Sequence, residues 1–295
     1  MRLRRVFLAG GLLASLISAA LVGCASGGTP SSAPALSPDR IAQIVASPDR
    51  SAADRINDTR RHPGEMLEFI AIRPGWAALD VSTGGGYTTE LLARAMGPSG
   101  TVFAQSQPRD PGRPAPAPAA PEGGAAAPLP SAAPASAPPR PSRSTADVLA
   151  DREAGMRRAG VDAAKIVYVA QRFDNPVPPE AADGRLDLVT LMFNYHDFGF
   201  MGVDRVALNR AIFRALKPGG FYVVADHAGR PGTGMSESGT LHRIEESFLR
   251  GEVEAAGFRL VAVGNFLRNP NDPRDRNTPE PPQPKDEFVL KFVKP

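Results

Sequence analysis

The histidines of this chain and the acids beside them have the widest chemical range of its residues. Asn194-Tyr195-His196-Asp197 sets an amide, an imidazole and a carboxylate within four positions. Asp226-His227 repeats the acid–imidazole pair, and His242 follows. Histidine titrates near neutral pH and serves as a general base or as a ligand for a polar substrate group. His196 is the preferred base, His227 a second catalytic candidate, and Asp197 either orients the imidazole or caps a helix. His242 reads as a surface residue opening the next helix, and His62, before Pro63, as the start of another. Convergence of three histidines with two acids would suit a metal, but their spacing matches no short metal signature and no metal is expected. Phe198, Phe200 and Met201 read as core or as the wall of an apolar pocket.

A second concentration is Asp80-Val81-Ser82-Thr83-Gly84-Gly85-Gly86-Tyr87. The apolar run Trp76-Ala77-Ala78-Leu79 leads into an acid, a glycine turn and a helix-like run from Thr88 to Met96. A buried strand feeding a glycine turn and a helix start cradles nucleotide cofactors, because glycine lets the backbone approach a ligand and takes positive φ. Gly84 and Gly86 carry that reading. Asp80 either helps place a ligand or bonds the turn.

These groups need a scaffold. Ser37-Pro38 and Ser47-Pro48 each offer an N-cap followed by proline at the first helical position. A third helix is expected over Pro63 to Ile70. Strands are expected at Trp76 onward, 101–105, 166–170, 186–193, 221–225, 260–263 and 288–293. Helices are expected at 145–159, 203–216 and 241–256, the last with Leu241, Ile244, Phe248 and Val253 on one side. Strands alternating with helices imply a mostly parallel sheet covered on both faces. No helix is expected between the last two strands, so the final strand enters antiparallel.

At this point the chain resembles a class I S-adenosylmethionine-dependent methyltransferase. Four landmarks in order carry the resemblance: Leu79 to Gly86, Leu186-Asp187-Leu188-Val189-Thr190-Leu191, Ala215-Leu216-Lys217-Pro218-Gly219-Gly220-Phe221, and Val253-Glu254-Ala255-Ala256-Gly257-Phe258. Tyr195-His196-Asp197 and Asp226-His227 are similar to motifs of a group of exported methyltransferases. The resemblance spans about residue 64 to 295. It implies a Rossmann-like, doubly wound, seven-stranded α/β sheet with an antiparallel last strand. S-adenosylmethionine would lie over the carboxyl ends of the first strands, near Asp80, Ser82, Gly84, Gly86, Tyr87, Ser106, Asp174 and Asn194. Asp174 stands where the family contacts the adenine amine; it also suits an Asp-Asn turn before Pro176. Two positions depart from the pattern. Ser82 replaces a usual glycine, and Gln105 and Ser106 replace the acid that holds the ribose, leaving neutral bonds that are weaker than charge-assisted ones. The methyl acceptor is expected to be a small molecule.

The amino terminus reads as an address. Met1 to Arg5 is cationic, Val6 to Val22 is uncharged and apolar, and Leu21-Val22-Gly23-Cys24 resembles a bacterial lipoprotein box. Residues 1–23 are expected to be a signal peptide, and lipidated Cys24 a membrane anchor in the periplasm-facing cell envelope. An uncleaved helix is the alternative, since roughly 17 apolar residues is the short limit for spanning. Arg4-Arg5-Val6-Phe7-Leu8 resembles a twin-arginine signal, whose cargo crosses the membrane folded. Residues 24–36 read as a disordered tether, 37–295 as the catalytic domain, and 107–143 as a disordered Pro/Ala-rich insertion within it. Replacing a five-residue loop by that insertion costs only roughly 1.7 kcal/mol of closure entropy.

Cys24 is the single cysteine, which excludes an intrachain disulfide. The formal charge is +3, and loss of Arg2, Arg4 and Arg5 with the signal balances it. No basic stripe supports nucleic-acid binding. Two rivals to methyl transfer are a non-catalytic binding lipoprotein on the same fold and a nicotinamide-dependent oxidoreductase. The latter rests on the partial match Gly84-x-Gly86-x-x-Thr89 and is opposed by the Lys-Pro-Gly-Gly junction.

Overall fold

Proline and serine punctuation sets the first three helices. In the computed structural model, which describes residue 1 and residues 33–108, 143–279 and 283–295, α1 runs Pro38–Val45 with Ser37 as N-cap, accepting from the Arg40 amide. Helix α2 runs Ala52–Arg61 and α3 runs Pro63–Ile70. The expected start at Ser47-Pro48 is corrected. Ser47 Oγ donates to Asp49 at 2.6 Å within a turn, and Ser51 caps α2 instead. Pro63 disfavours helical backbone at the residue before it, so His62 takes a left-handed conformation and breaks α2 from α3.

The sheet then builds in alternation. Strand β1 (Ala77–Val81) is followed by α4 (Tyr87–Met96), β2 (Thr101–Ser106), α5 (Thr145–Arg158), β3 (Lys165–Ala170) and β4 (Leu186–Met192). Next come the short α6 (Asp197–Phe200), α7 (Arg205–Ala215), β5 (Leu216–His227), the short α8 (Ser238–Leu241), α9 (Glu246–Ala255), β6 (Arg259–Gly264) and β7 (Glu287–Val293). The seven strands lie in the order β3-β2-β1-β4-β5-β7-β6. All pair in parallel except β7, which is antiparallel to β5 and β6. The order reverses between β1 and β4, the topological switch point at which such sheets bind ligands.

Pleating splits the core. Ala78, Val102, Leu188 and Val223 face the layer with α1, α3, α4 and α5, while Leu79, Phe103, Val189 and Val224 face α7 and α9. Lys291 on β7 sits over the Phe221 ring and donates to the carbonyls of Phe69 and Ile70, tying the sheet to the end of α3.

One expected helix divides. The segment 241–256 is α8, a break, and α9. Ile244 leaves the helix to pair beside Ala228, and its amide donates to the His227 carbonyl at 3.0 Å. Glu245 then accepts from the amides of Gly232 and Gly234. Leu249 and Val253 remain buried on α9, and Leu241 and Ile244 lie outside it. The strand expected at 221–225 is longer, since the Lys217-Pro218-Gly219-Gly220 segment pairs irregularly with β4 and joins β5. The signal peptide, Cys24 and nearly all of the 107–143 insertion lie outside the described residues. Of the tether, Leu36 packs on the core, its amide bonded to the Ile72 carbonyl at 3.0 Å. Among the described residues no helix is long and apolar enough to cross a membrane.

Candidate functional site

At the end of β1 the chain turns through left-handed backbone at Ser82, Gly84 and Gly86. A Cβ at Gly86 would lie 2.7 Å from Leu149 Cδ2 and 3.0 Å from Arg152 Cδ. That glycine is required by the close approach of α5. Gly84 and Gly85 are exposed, and a Cβ at Gly85 would meet nothing within 4 Å. The bend therefore has one packed side and one open side.

Asp80 lies beneath the bend and is turned inward. Its carboxylate accepts from Thr89 Oγ1 at 2.6 Å and Thr190 Oγ1 at 2.8 Å, and Thr83 and Thr89 bond each other beside it. Burial pushes its carboxyl upward against the pull of those hydroxyls. The reading of Asp80 as a ligand contact is thus corrected: it is 2% exposed and holds the turn. Gln105, at the ribose-acid position, is fully buried. Its Oε1 accepts the Ser82 amide at 2.9 Å and its Nε2 donates to the Gln171 carbonyl at 2.7 Å. Gln105 is therefore a brace for the bend, and the half-buried Ser106 is the hydroxyl left at the strand end. Asp174 is half-buried and gripped by Arg172, which holds its carboxyl below the usual range.

Tyr87, half-buried, lines a small cavity with Arg61 and Phe193. Its hydroxyl donates to Asp58 at 2.6 Å, fastening α4 to α2. Arg61 of α2 lies over the Phe193 ring at 4.1 Å to the centroid, a cation–π stack. Phe193 itself has φ +63, rare for a bulky residue. Ser82 and Phe193, at the ends of adjacent strands, are both held in left-handed backbone, strain of the kind that clusters at functional sites. The N-terminal helices are locked over α4 by the ion-pair chain Asp49–Arg94–Glu90–Arg152–Asp54. Arg152 Nε also donates to the Gly85 carbonyl at 2.6 Å.

The histidine rim lies one strand over. Asn194 links the two regions: Ser82 Oγ donates to its Oδ1 at 3.2 Å, and its Nδ2 donates to Asp197 Oδ2 at 2.9 Å. His196 is fully buried, with Nδ1 2.5 Å from Asp226 Oδ1, and its backbone amide donates to Asp226 Oδ2 at 2.8 Å. Nε2 lies 3.1 Å from Asp197 Oδ1, an ion contact too poorly aligned to be a hydrogen bond. Burial disfavours the charged imidazole, but Asp226 and then Asp197 outweigh it and raise its pKa to about 10. His196 is therefore corrected from general base or substrate ligand to buried cation. Burial pushes the Asp197 carboxyl up, and His196, Asn194 and His242 more than offset this, keeping it below its ordinary value.

His227 is likewise buried, its Nδ1 3.0 Å from Glu287 Oε1, and Glu287 accepts from Arg60 at 2.7 Å. No part of its side chain reaches the surface, so His227 is a support for the rim and not a group that touches substrate. His242, expected as a helix-start surface residue, ends α8 in left-handed backbone with Nδ1 3.0 Å from Asp197 Oδ1. Phe198 is core, against Phe173 and Tyr195, whereas Phe200 is exposed beside His242 and Met201 is exposed next to it in the chain. Sequence reasoning missed Arg61, Phe193 and Glu287. The Arg60-Arg61 pair at the end of a helix was a signal, but nothing local places it against the end of β4.

A hollow of about 600 Å³ lies elsewhere, between α1, α2 and α3, lined by Ile41, Asp58, His62 and Glu65 among others. It holds none of the expected site residues. A cavity of about 20 Å³ under Arg61 has room for about one water.

This architecture is the Rossmann-like methyltransferase fold. A solved S-adenosylmethionine-dependent methyltransferase from Aquifex aeolicus superposes with a TM-score of 0.50 at 15% identity, over 88% of this chain and all of that one. An arsenic(III) S-adenosylmethionine methyltransferase from Chlamydomonas reinhardtii gives 0.46 at 12% identity, over 74% of this chain and 63% of that one. YcgJ of Bacillus subtilis gives 0.46 at 12% identity, over 78% and 97%. No protein-family model and no curated protein matches the sequence.

Proposed function

We propose that the protein is an exported, membrane-anchored enzyme that transfers a methyl group from S-adenosylmethionine to a small-molecule acceptor. The observation that carries the reading is the open side of the glycine bend at the β1–β4 switch point, joined through Asn194 to the histidine rim. When bound, the cofactor supplies an electrophilic methyl on a sulfonium. The backbone of Gly84 and Gly85 accepts its close approach, Ser106 and Asp174 face the adenosyl half, and Asn194 faces the reacting end. Arg61, stacked on Phe193 and near enough to Asp80 to act on its carboxyl, suits the cofactor's carboxylate. Held cationic, His196 fixes Asp197 and Asn194 rather than taking a proton, so proximity of acceptor and methyl supplies most of the rate. Phe200 and Met201 give the acceptor an apolar neighbour. Lipidation of Cys24 and export of the folded chain complete the reading.

A second reading, a binding lipoprotein without turnover, is favoured by the buried Gln105 brace where a ribose-binding acid would stand. Calorimetry of the full-length protein with S-adenosylmethionine and with its demethylated product tests both. Saturable binding of either, reduced at least tenfold in Asn194→Ala, supports a cofactor site, and methyl transfer to an acceptor then separates enzyme from binder. Absence of binding to both compounds removes the proposal.

A further inference from the structure

We propose that His196 Nε2, Asp197 Oδ1 and His242 Nδ1 form a binding site for a divalent first-row transition metal ion of the zinc class. The inference stands apart from the methyl-transfer reading, because it needs only these side chains.

The three ligand atoms lie within 4.8 Å of one another. Asp197 Oδ1 is 3.1 Å from His196 Nε2 and 3.0 Å from His242 Nδ1. Ligand atoms about 2.1 Å from one ion, at tetrahedral or octahedral angles, are about 3.0–3.5 Å apart, so two edges of the triangle already have that length. Rotation of the His242 ring, whose side chain is 36% exposed, closes the third.

The independent observation is His196 itself. Its ring is fully buried, and Nε2 has no hydrogen-bond partner while aimed at the carboxylate. Nδ1–H is given to the buried Asp226, which fixes the ring orientation and leaves Nε2 as the ligating nitrogen. A carboxylate–histidine–metal relay of this kind orients ligands in known metal sites. Without an ion, a proton on Nε2 sits between that nitrogen and the carboxylate, and a metal ion bound there would displace it. On the far side of Asp197, Asn194 engages the other carboxylate oxygen.

The scaffold is built to bring the three together. A Cβ at Gly199 would lie 2.5 Å from Met235 Cγ and 2.6 Å from Ser238 Oγ, so only glycine lets α6 cross α8 this closely. Ser238 Oγ donates to the His196 carbonyl at 2.5 Å and accepts the Phe200 amide at 3.1 Å, locking the crossing. His242 is held at φ +52, strain that the surrounding structure must impose. Two imidazoles and one carboxylate select zinc, iron, cobalt or nickel over calcium or magnesium. Three protein ligands with a position open beside the exposed edge of His242 match a site that takes water or a substrate oxygen. Sequence spacing pointed away from a metal because the third ligand arrives from a different segment, 45 residues on.

The test is titration of the chelator-treated full-length protein with zinc chloride, followed by calorimetry, with cobalt(II) absorption as the readout of ligand geometry. One ion per chain is expected. His242→Asn, which keeps a residue tolerant of left-handed backbone, should weaken binding by more than the roughly 10–100-fold that loss of even an outer-shell partner costs. Asp226→Asn should fall within that range and shift the cobalt spectrum. His62→Asn, at the separate His62–Glu65 pair, should change neither. The proposal is overturned if the parent takes up no stoichiometric ion, if His242→Asn binds as tightly as the parent, or if His62→Asn abolishes uptake. Circular dichroism of each variant verifies the fold, and where Asp226→Asn unfolds, His242→Asn alone decides.

Discussion

The glycine bend after β1 and the histidine rim after β4 and β5 sit side by side but are made differently. The bend is held from below and from one flank: Asp80 by threonines, Gln105 by backbone, Gly86 by α5. Its outer face is exposed backbone at Gly84 and Gly85. The rim is buried at His196, which lies between Asp197 and Asp226, and at His227, which meets Glu287. A preorganised backbone surface suits a ligand that arrives with its own charge. A charged cluster kept from water suits a small cation or a group held in one orientation. The difference teaches that residue type alone does not say which histidines and acids reach a ligand.

The sharpest way to break the comparison is Asp226→Ala. It would strand the His196 ring and two backbone amides, those of His196 and His227, around a lost carboxylate. Breaking a buried pair costs about 3–5 kcal/mol, so urea denaturation should show a loss of that size. A loss under about 1 kcal/mol would mean that the rim is not buried as described. Gly86→Ala tests the other side. The added Cβ overlaps Leu149 and sits at φ +78, and the expected loss is about 2 kcal/mol from overpacking and backbone strain.

Much of this organisation is readable in the sequence, and its limits are physical. Alternation of buried runs with helical runs gives the mostly parallel sheet, because burial on both faces leaves a continuous apolar signature, and the missing helix before β7 gives its antiparallel entry. The glycine bend and the Tyr-His-Asp and Asp-His pairs are local signals and sit at strand ends as expected. Long-range pairing is what escapes. Ile244 reads as helix until Ala228 is available to pair with it, and Ser47 reads as a cap until Asp49 turns back on it and Arg94 claims that acid. His242 reads as surface because its partner Asp197 is distant in sequence. Asp80, Gln105 and Tyr87 have the right types for ligand contact, but which way each side chain points is decided by Thr190, Gln171 and Asp58 on other elements.

A smaller effect sharpens the picture of how α2 is clamped over the bend. Hydrogen bonding to Arg94 holds Asp49 at a pKa of about 2, below its unfolded value near 3.8. A depressed carboxyl stabilises the fold above the unfolded value and loses that contribution as pH falls toward the folded one. Between about pH 4 and pH 2, unfolding free energy should therefore drop by about 1 kcal/mol from this pair, after allowance for solvent screening. In Asp49→Asn that component of the acid limb should be absent. An unchanged limb would show that Arg94 does not hold Asp49 in solution.

The central claim is that bend and rim form one ligand site at the switch point. Amide chemical-shift mapping of the full-length protein with the demethylated product of S-adenosylmethionine tests it most directly. The expected perturbations are at Ser82 to Gly86, Ser106, Asp174 and Asn194, with Ile41 to Ala46 in the hollow unmoved. Shifts confined to the hollow between α1, α2 and α3, or none at saturating ligand, would contradict it.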